Sequence, residues 1–233
     1  MLHRNESATF VLIHGGGSTS WDWHLVAPVL RELGHDVVAV DLPIEDDANG
    51  ISELADAVVE ACGDRTDLAI VAHSWGGLVA PVVAARVPAE LLVFVSALIP
   101  KPGEAPNAWW SASGYNDLGI SFETEEKEIE LFYNGVPADL ITASYATARD
   151  QSWARGDEPT PLKAWPEVPT RFLLCRDDRF MPPEFARAQV RDRLGITPDE
   201  IDGGHMVALS RPRELAERLH RLWTEPRRET DPA

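Results

Sequence analysis

Short apolar runs alternate along the chain with longer stretches in which apolar residues recur every three or four positions. The runs at 9–13, 36–40, 68–72, 91–95 and 171–175 are dominated by Val, Ile, Leu, Phe and Ala, as befits strands covered on both faces. A sixth run at 199–201 is shorter and more polar. Segments 21–33, 52–62, 75–86, 183–194 and 213–223 carry the helical period, with Ser52 placed to cap the second and Glu214 in the first turn of the last. Alternation of this kind predicts an α/β fold, a mostly parallel central sheet flanked by helices.

The rhythm fails over residues 98–168. That interval holds four of the eight tryptophans and no run of strand period, and it is bounded by Pro100, Pro102, Pro166 and Pro169. It reads as a helical lid on a core built from 1–97 and 169–233, all within a single structural domain. With 233 residues in all, a second complete domain has no room. The polar stretch 225–233 is expected to fray.

Composition narrows the function. At 44% hydrophobic and 25% charged, the chain can bury one large core. Its net charge of −17 arises within residues 1–170, since 171–233 carry 12 basic and 12 acidic side chains. Such a surface repels phosphate backbones and anionic lipids, so neither nucleic acid nor a membrane is expected as a partner. The expected partner is a small-molecule substrate, with a homodimer left open. Cys62 and Cys175 both lie in apolar segments and read as buried thiols. With no apolar signal core or spanning stretch, a cytoplasmic protein is expected.

The candidate chemistry sits at strand ends. Run 68–72 passes directly into His73-Ser74-Trp75-Gly76-Gly77 and then a helix. A small residue two before a serine and a glycine two after it permit the tight strand-to-helix bend that exposes a nucleophile. Ala72 takes the first small position. Run 9–13 ends in His14-Gly15-Gly16-Gly17, whose backbone N–H groups can approach a ligand closely, as an oxyanion hole requires.

A serine hydroxyl needs a base, and the base needs a carboxylate to hold it. Run 171–175 is followed by Arg176-Asp177-Asp178, and Asp202-Gly203-Gly204-His205-Met206 precedes the last helix. Two adjacent carboxylates thus compete for one role. No histidine pair has metal-ligand spacing, and the glycine turn matches neither a phosphate loop nor a dinucleotide fingerprint. No metal or cofactor is expected. His14 and His73 read as hydrogen-bonded structural groups, and His3, His24, His35 and His220 as surface or packing residues.

The glycine turn after His14, the Trp21-Asp22-Trp23 helix start, Gly34-His35, the Ser74 bend, Cys175-Arg176-Asp177-Asp178-Arg179 and Gly204-His205-Met206 occur in order. In this set the chain resembles the α/β-hydrolase superfamily, in the compact branch of plant-type methylesterases, related bacterial esterases and hydroxynitrile lyases. The resemblance runs from Thr9 to Trp223. It implies Ser74 as nucleophile, His205 as base and Asp178 as acid, the second carboxylate with Pro182 four residues on, and the N–H groups of Gly16 and Trp75 as oxyanion donors. Lyases of that branch carry threonine after the first histidine and lysine after the catalytic one. Gly15 and Met206 stand there instead, on the esterase side.

The implied function is a serine hydrolase cleaving a carboxylic ester of a small, largely apolar or aromatic substrate. The alternatives are a triad-bearing lyase or carbon–carbon bond hydrolase, or a non-catalytic relative that binds a small ligand. Interval 98–168 is rich in aromatics, among them Phe122, Tyr145, Trp153 and Trp165. Gly17, Trp109, Trp110, Tyr115, Phe132 and Tyr133 are the residues expected to line the pocket. The glutamate-rich run 123–130 reads as a solvated helix face.

Overall fold

The computed structural model describes residues 7–121 and 123–225. His3, Phe122 and all of the polar tail past Glu225, each singled out above, lie outside the described residues. Six strands form one sheet: β1 Thr9–Ile13, β2 Asp36–Val40, β3 Leu68–His73, β4 Ala89–Val95, β5 Thr170–Cys175 and β6 Asp199–Ile201. Their order is β2-β1-β3-β4-β5-β6, and every pairing is parallel. The helices are α1 Val26–Glu32, α2 Ile51–Cys62, α3 Ala80–Ala84, α4 Pro106–Ala112, α5 Glu125–Phe132, α6 Ala138–Thr147, α7 Pro183–Leu194, α8 Val207–Ser210 and α9 Pro212–Thr224.

Strand periodicity sorts the core into two layers. Val11, Ile13, Ile70, Ala72, Phe94, Phe172 and Leu174 pack with Leu54 and Val58 of α2, Val82 of α3 and Val190 of α7. Phe10, Leu12, Val71, Val93 and Leu173 face the other way, onto Val26 and Leu30 of α1 and Leu215, Leu219 and Leu222 of α9. The predicted strands fall within two residues of the observed ones.

The helices differ more. Segment 21–33 is broken into a 3-10 turn, Ser20–Trp23, and α1, because Thr19 caps the turn by accepting the Trp21 N–H at 3.3 Å. Segment 75–86 opens as a 3-10 turn, Ser74–Leu78, before α3 begins. There Gly76 passes so close to β1 that a Cβ would run into the His14 carbonyl. The α2 N-cap is Gly50, not Ser52, and the Glu53 carboxylate accepts the Gly50 N–H at 2.9 Å. Short α8, between His205 and α9, is only four residues long and leaves no helical period in the sequence.

Residues 98–168 form α4, a 3-10 turn at Tyr115–Leu118, α5 and α6, with no strand among the described residues. This roof is fastened to the core at several points. The Met206 N–H donates to the Phe132 carbonyl at 3.1 Å, and Asn134 donates to the Asp177 carbonyl at 2.9 Å. The Arg149 N–H donates to the Gly17 carbonyl at 3.0 Å, while the Gly17 N–H donates to Gln151 at 3.2 Å. Cys62 and Cys175 are buried free thiols. Among the described residues no helix is long and apolar enough to cross a membrane.

Candidate active site

The chain leaves β1 for β2 on one side of the sheet and returns to β3 on the other. Where strand order reverses, a crevice opens at the carboxyl ends of the strands, the usual place for a ligand in an open α/β sheet. Pairing of Ile13 with Ala72 sets the two following turns, from His14 and from His73, side by side in that crevice. A Cβ on Gly15 would stand 3.0 Å from the Ser74 Cβ. Only glycine lets the turns meet this closely.

Ser74 itself has φ 51°, left-handed backbone that costs a non-glycine residue about 1 kcal/mol or more. The bend is held by the Leu98 N–H, which donates to the Ser74 carbonyl at 2.9 Å. His205 reaches the serine from the loop after β6, with its Nε2 2.9 Å from Ser74 Oγ. Its Nδ1 lies 2.8 Å from Asp178 Oδ2. An ionised carboxylate only accepts, so Nδ1 carries the proton and Nε2 is left to accept the serine hydroxyl. All three side chains are buried.

The two aspartates left open by the sequence separate cleanly. Asp178 faces His205 with one oxygen and accepts the Met181 N–H at 2.7 Å with the other. Asp177 is exposed and holds the backbone of Gly203, accepting its N–H at 3.1 Å and donating to its carbonyl at 2.9 Å. It braces the loop that carries His205.

Both flanking histidines are structural, as read from the sequence. His14 Nε2 accepts the Leu42 N–H at 3.0 Å, and its Nδ1 donates to the Gly15 carbonyl at 2.7 Å. Burial pushes its pKa down to about 4. His73 lies 2.9 Å through Nε2 from the His205 carbonyl, and burial holds its pKa well below the usual value. Gly16 lies against Trp75, where a Cβ would stand 3.4 Å from the Trp75 Cβ, so the two expected oxyanion donors are neighbours.

A cavity of about 130 Å³ opens over Ser74 and His205. Of the expected pocket residues, Gly17, Phe132 and Tyr133 line it. Trp109, Trp110 and Tyr115 do not, and that expectation is corrected. Trp109 is buried and donates to the Ile99 carbonyl at 3.0 Å. Trp110 packs edge-on against Trp109 and Tyr115, and the Tyr115 hydroxyl donates to the Phe180 carbonyl at 2.8 Å. This aromatic cluster seats α4 on the core and braces the loop after Asp178.

In their place the cavity gains Asp22, Glu128, Ser144 and Tyr145. Glu128 belongs to the run that reads as a solvated helix face, and nothing in the sequence around Asp22 marks it for the cavity. The cavity is smaller and more polar than a bulky apolar ester requires. Asp22 is 2% exposed; Ser18 donates to its Oδ2, and its Oδ1 has no partner among the described residues. Burial raises its pKa to about 6, against the opposing pull of Ser18 and His205.

Comparison with known proteins identifies the family to which this fold belongs. The chain is 24% identical to methylesterase 9 of Arabidopsis thaliana, covering 91% of this chain and 97% of the relative. It is 26% identical to methyl jasmonate esterase 1 of Vitis vinifera, over 91% and 95% of the two chains. The crystal structure of polyneuridine aldehyde esterase superposes with a TM-score of 0.79 at 21% identity, over 93% of this chain and 99% of that one. Residues 10–218 match the model of the alpha/beta hydrolase family, and with the sheet order and strand-end turns already described, the chain belongs to that family.

Proposed function

We propose that the protein hydrolyses a small carboxylic ester through an acyl-enzyme on Ser74. The observation that carries this reading is the continuous hydrogen-bonded line from Ser74 Oγ through His205 to Asp178, at 2.9 and 2.8 Å, at the floor of a cavity. Ser74 attacks the ester carbonyl carbon while His205 Nε2 takes its proton. Asp178 then holds the imidazolium in place. The N–H groups of Gly16 and Trp75 receive the oxyanion, each worth about 3 kcal/mol because the charge appears only in the transition state. His205 returns the proton to the departing alcohol. Water, deprotonated by the same histidine, attacks the acyl carbonyl and releases the acid and free Ser74.

The cavity of about 130 Å³ is well below the ~300–1,000 Å³ usual for ligand pockets, which favours short acyl and alcohol groups. The names of the relatives, methylesterases and a methyl ester hydrolase, support the same class. The test is labelling with a fluorophosphonate probe together with hydrolysis of short methyl and p-nitrophenyl esters. Wild type is labelled and turns over; Ser74→Ala does neither. Turnover that survives Ser74→Ala would exclude the covalent route.

A further inference from the structure

The cavity over Ser74 contains a group that ester hydrolysis does not need. Asp22 follows the glycine turn and lines the same cavity as Ser74 and His205. It is almost wholly buried, yet Oδ1 has no hydrogen-bond partner among the described residues. Buried carboxylate oxygens are normally paired, so an unpaired one on a side chain that lines a cavity is a vacant acceptor.

Its surroundings define what would fill the vacancy. Glu128 of α5 lines the same cavity, and among the described residues no lysine or arginine does. Phe132, Tyr133 and Tyr145 add aromatic rings, whose faces attract cations. The electrostatics also bear on the reaction. A bare carboxylate in this small space opposes the oxyanion that forms beside Ser74, and a cation bound to it removes that opposition.

We infer that Asp22, assisted by Glu128, recognises a primary ammonium group of the substrate, so that the preferred ester carries an amine a few bonds from its carbonyl. This rests on Ser74 being the acylated residue. A chain with net charge −17 also draws cations toward its surface.

The test uses two esters of matching shape, methyl 3-aminopropanoate, cationic near neutral pH, and neutral methyl butanoate. Wild type is expected to favour the cationic ester in kcat/KM by about tenfold to a hundredfold, the worth of one charge-assisted hydrogen bond. Asp22→Asn should bring that ratio close to one, and Glu128→Gln should lower it by a smaller factor. A wild-type ratio near one, or a ratio that Asp22→Asn leaves unchanged, overturns the inference. Propylammonium and propan-1-ol binding, measured by calorimetry on the same proteins, separates this from failure of hydrolysis itself. Should neither ester turn over, propylammonium that still binds wild type and not Asp22→Asn supports the subsite. Equal binding to both, or to neither, removes it.

Discussion

His73 lies through Nε2 2.9 Å from the carbonyl oxygen of His205, so the residue before Ser74 holds the backbone of the histidine to which Ser74 is hydrogen-bonded. The carbonyl only accepts, which makes Nε2 the protonated nitrogen of His73. With the Ser74–His205 bond, this contact ties the end of β3 to the loop after β6. Replacing His73 by Phe should lower kcat about tenfold to a hundredfold with little change in KM. An unchanged kcat in a folded variant would show that the loop needs no such tie.

Asp178 and Asp177 are neighbours in sequence with different consequences. Asp178→Asn loses the partner that fixes the His205 tautomer and should reduce kcat by about 10⁴. Asp177→Asn keeps one acceptor for the Gly203 N–H and should stay within about tenfold of wild type. Steady-state kinetics on the two variants, with circular dichroism to establish folding, makes the comparison. A reversed order would move the acid role to Asp177.

Stability against pH should show two opposed contributions. Folded Asp22 keeps its proton up to about pH 6, whereas the usual value is 3.8, so folding loses stability as pH rises through that window. Folded His14 refuses a proton until about pH 4, against the usual 6.5, so stability is lost as pH falls. Each is worth about 3 kcal/mol. Asp22→Asn removes the first and leaves the second. It should therefore be more stable than wild type at pH 7.5 by about 2 kcal/mol, after the weaker bond from Ser18. The gain should vanish near pH 4 in urea unfolding, and a variant less stable than wild type at pH 7.5 would contradict the account.

Trp109 and Phe132 should divide structure from substrate. Trp109→Ala empties a buried aromatic site and should cost about 3–5 kcal/mol of stability while leaving KM nearly unchanged. Phe132, which lines the cavity with its ring 5.3 Å from that of His205, should affect kcat/KM by about tenfold when changed to Ala, with a smaller loss of stability. Chemical denaturation and kinetics on both variants give the two readouts.

These contrasts mark how far the sequence could be read. Ser74, Asp178 and His205 were legible because each stands just past a strand, and a parallel sheet brings its strand ends to one edge. The choice between Asp178 and Asp177 needed the resemblance, since both stand at a strand end and only the three-dimensional turn shows which one faces inward. Trp109 and Trp110 are adjacent on α4, and their rings meet edge-on in one cluster with Tyr115. What lies on either side of α4 is decided by how the roof docks, which local pattern does not encode. The same holds for Asp22 and Glu128, which are distant in the chain and share one cavity only once α5 has docked. The 3-10 turn after Ser74 escaped the helical pattern because close approach of two backbones, not side-chain period, dictates it.

The fastenings of the roof bear finally on how large a molecule can enter. Phe132 is tied to Met206, Asn134 to Asp177, and Arg149 and Gln151 to Gly17, so the points that hold the roof are the same turns that build the chemistry. Lifting it as a hinged flap would dismantle the site it covers. If admission proceeds by side-chain rotation, which is fast compared with domain opening, a small ester of the proposed class should exchange without waiting for a slow gate. Tolerance to substrate size should accordingly end at a threshold, with esters beyond it excluded rather than turned over slowly.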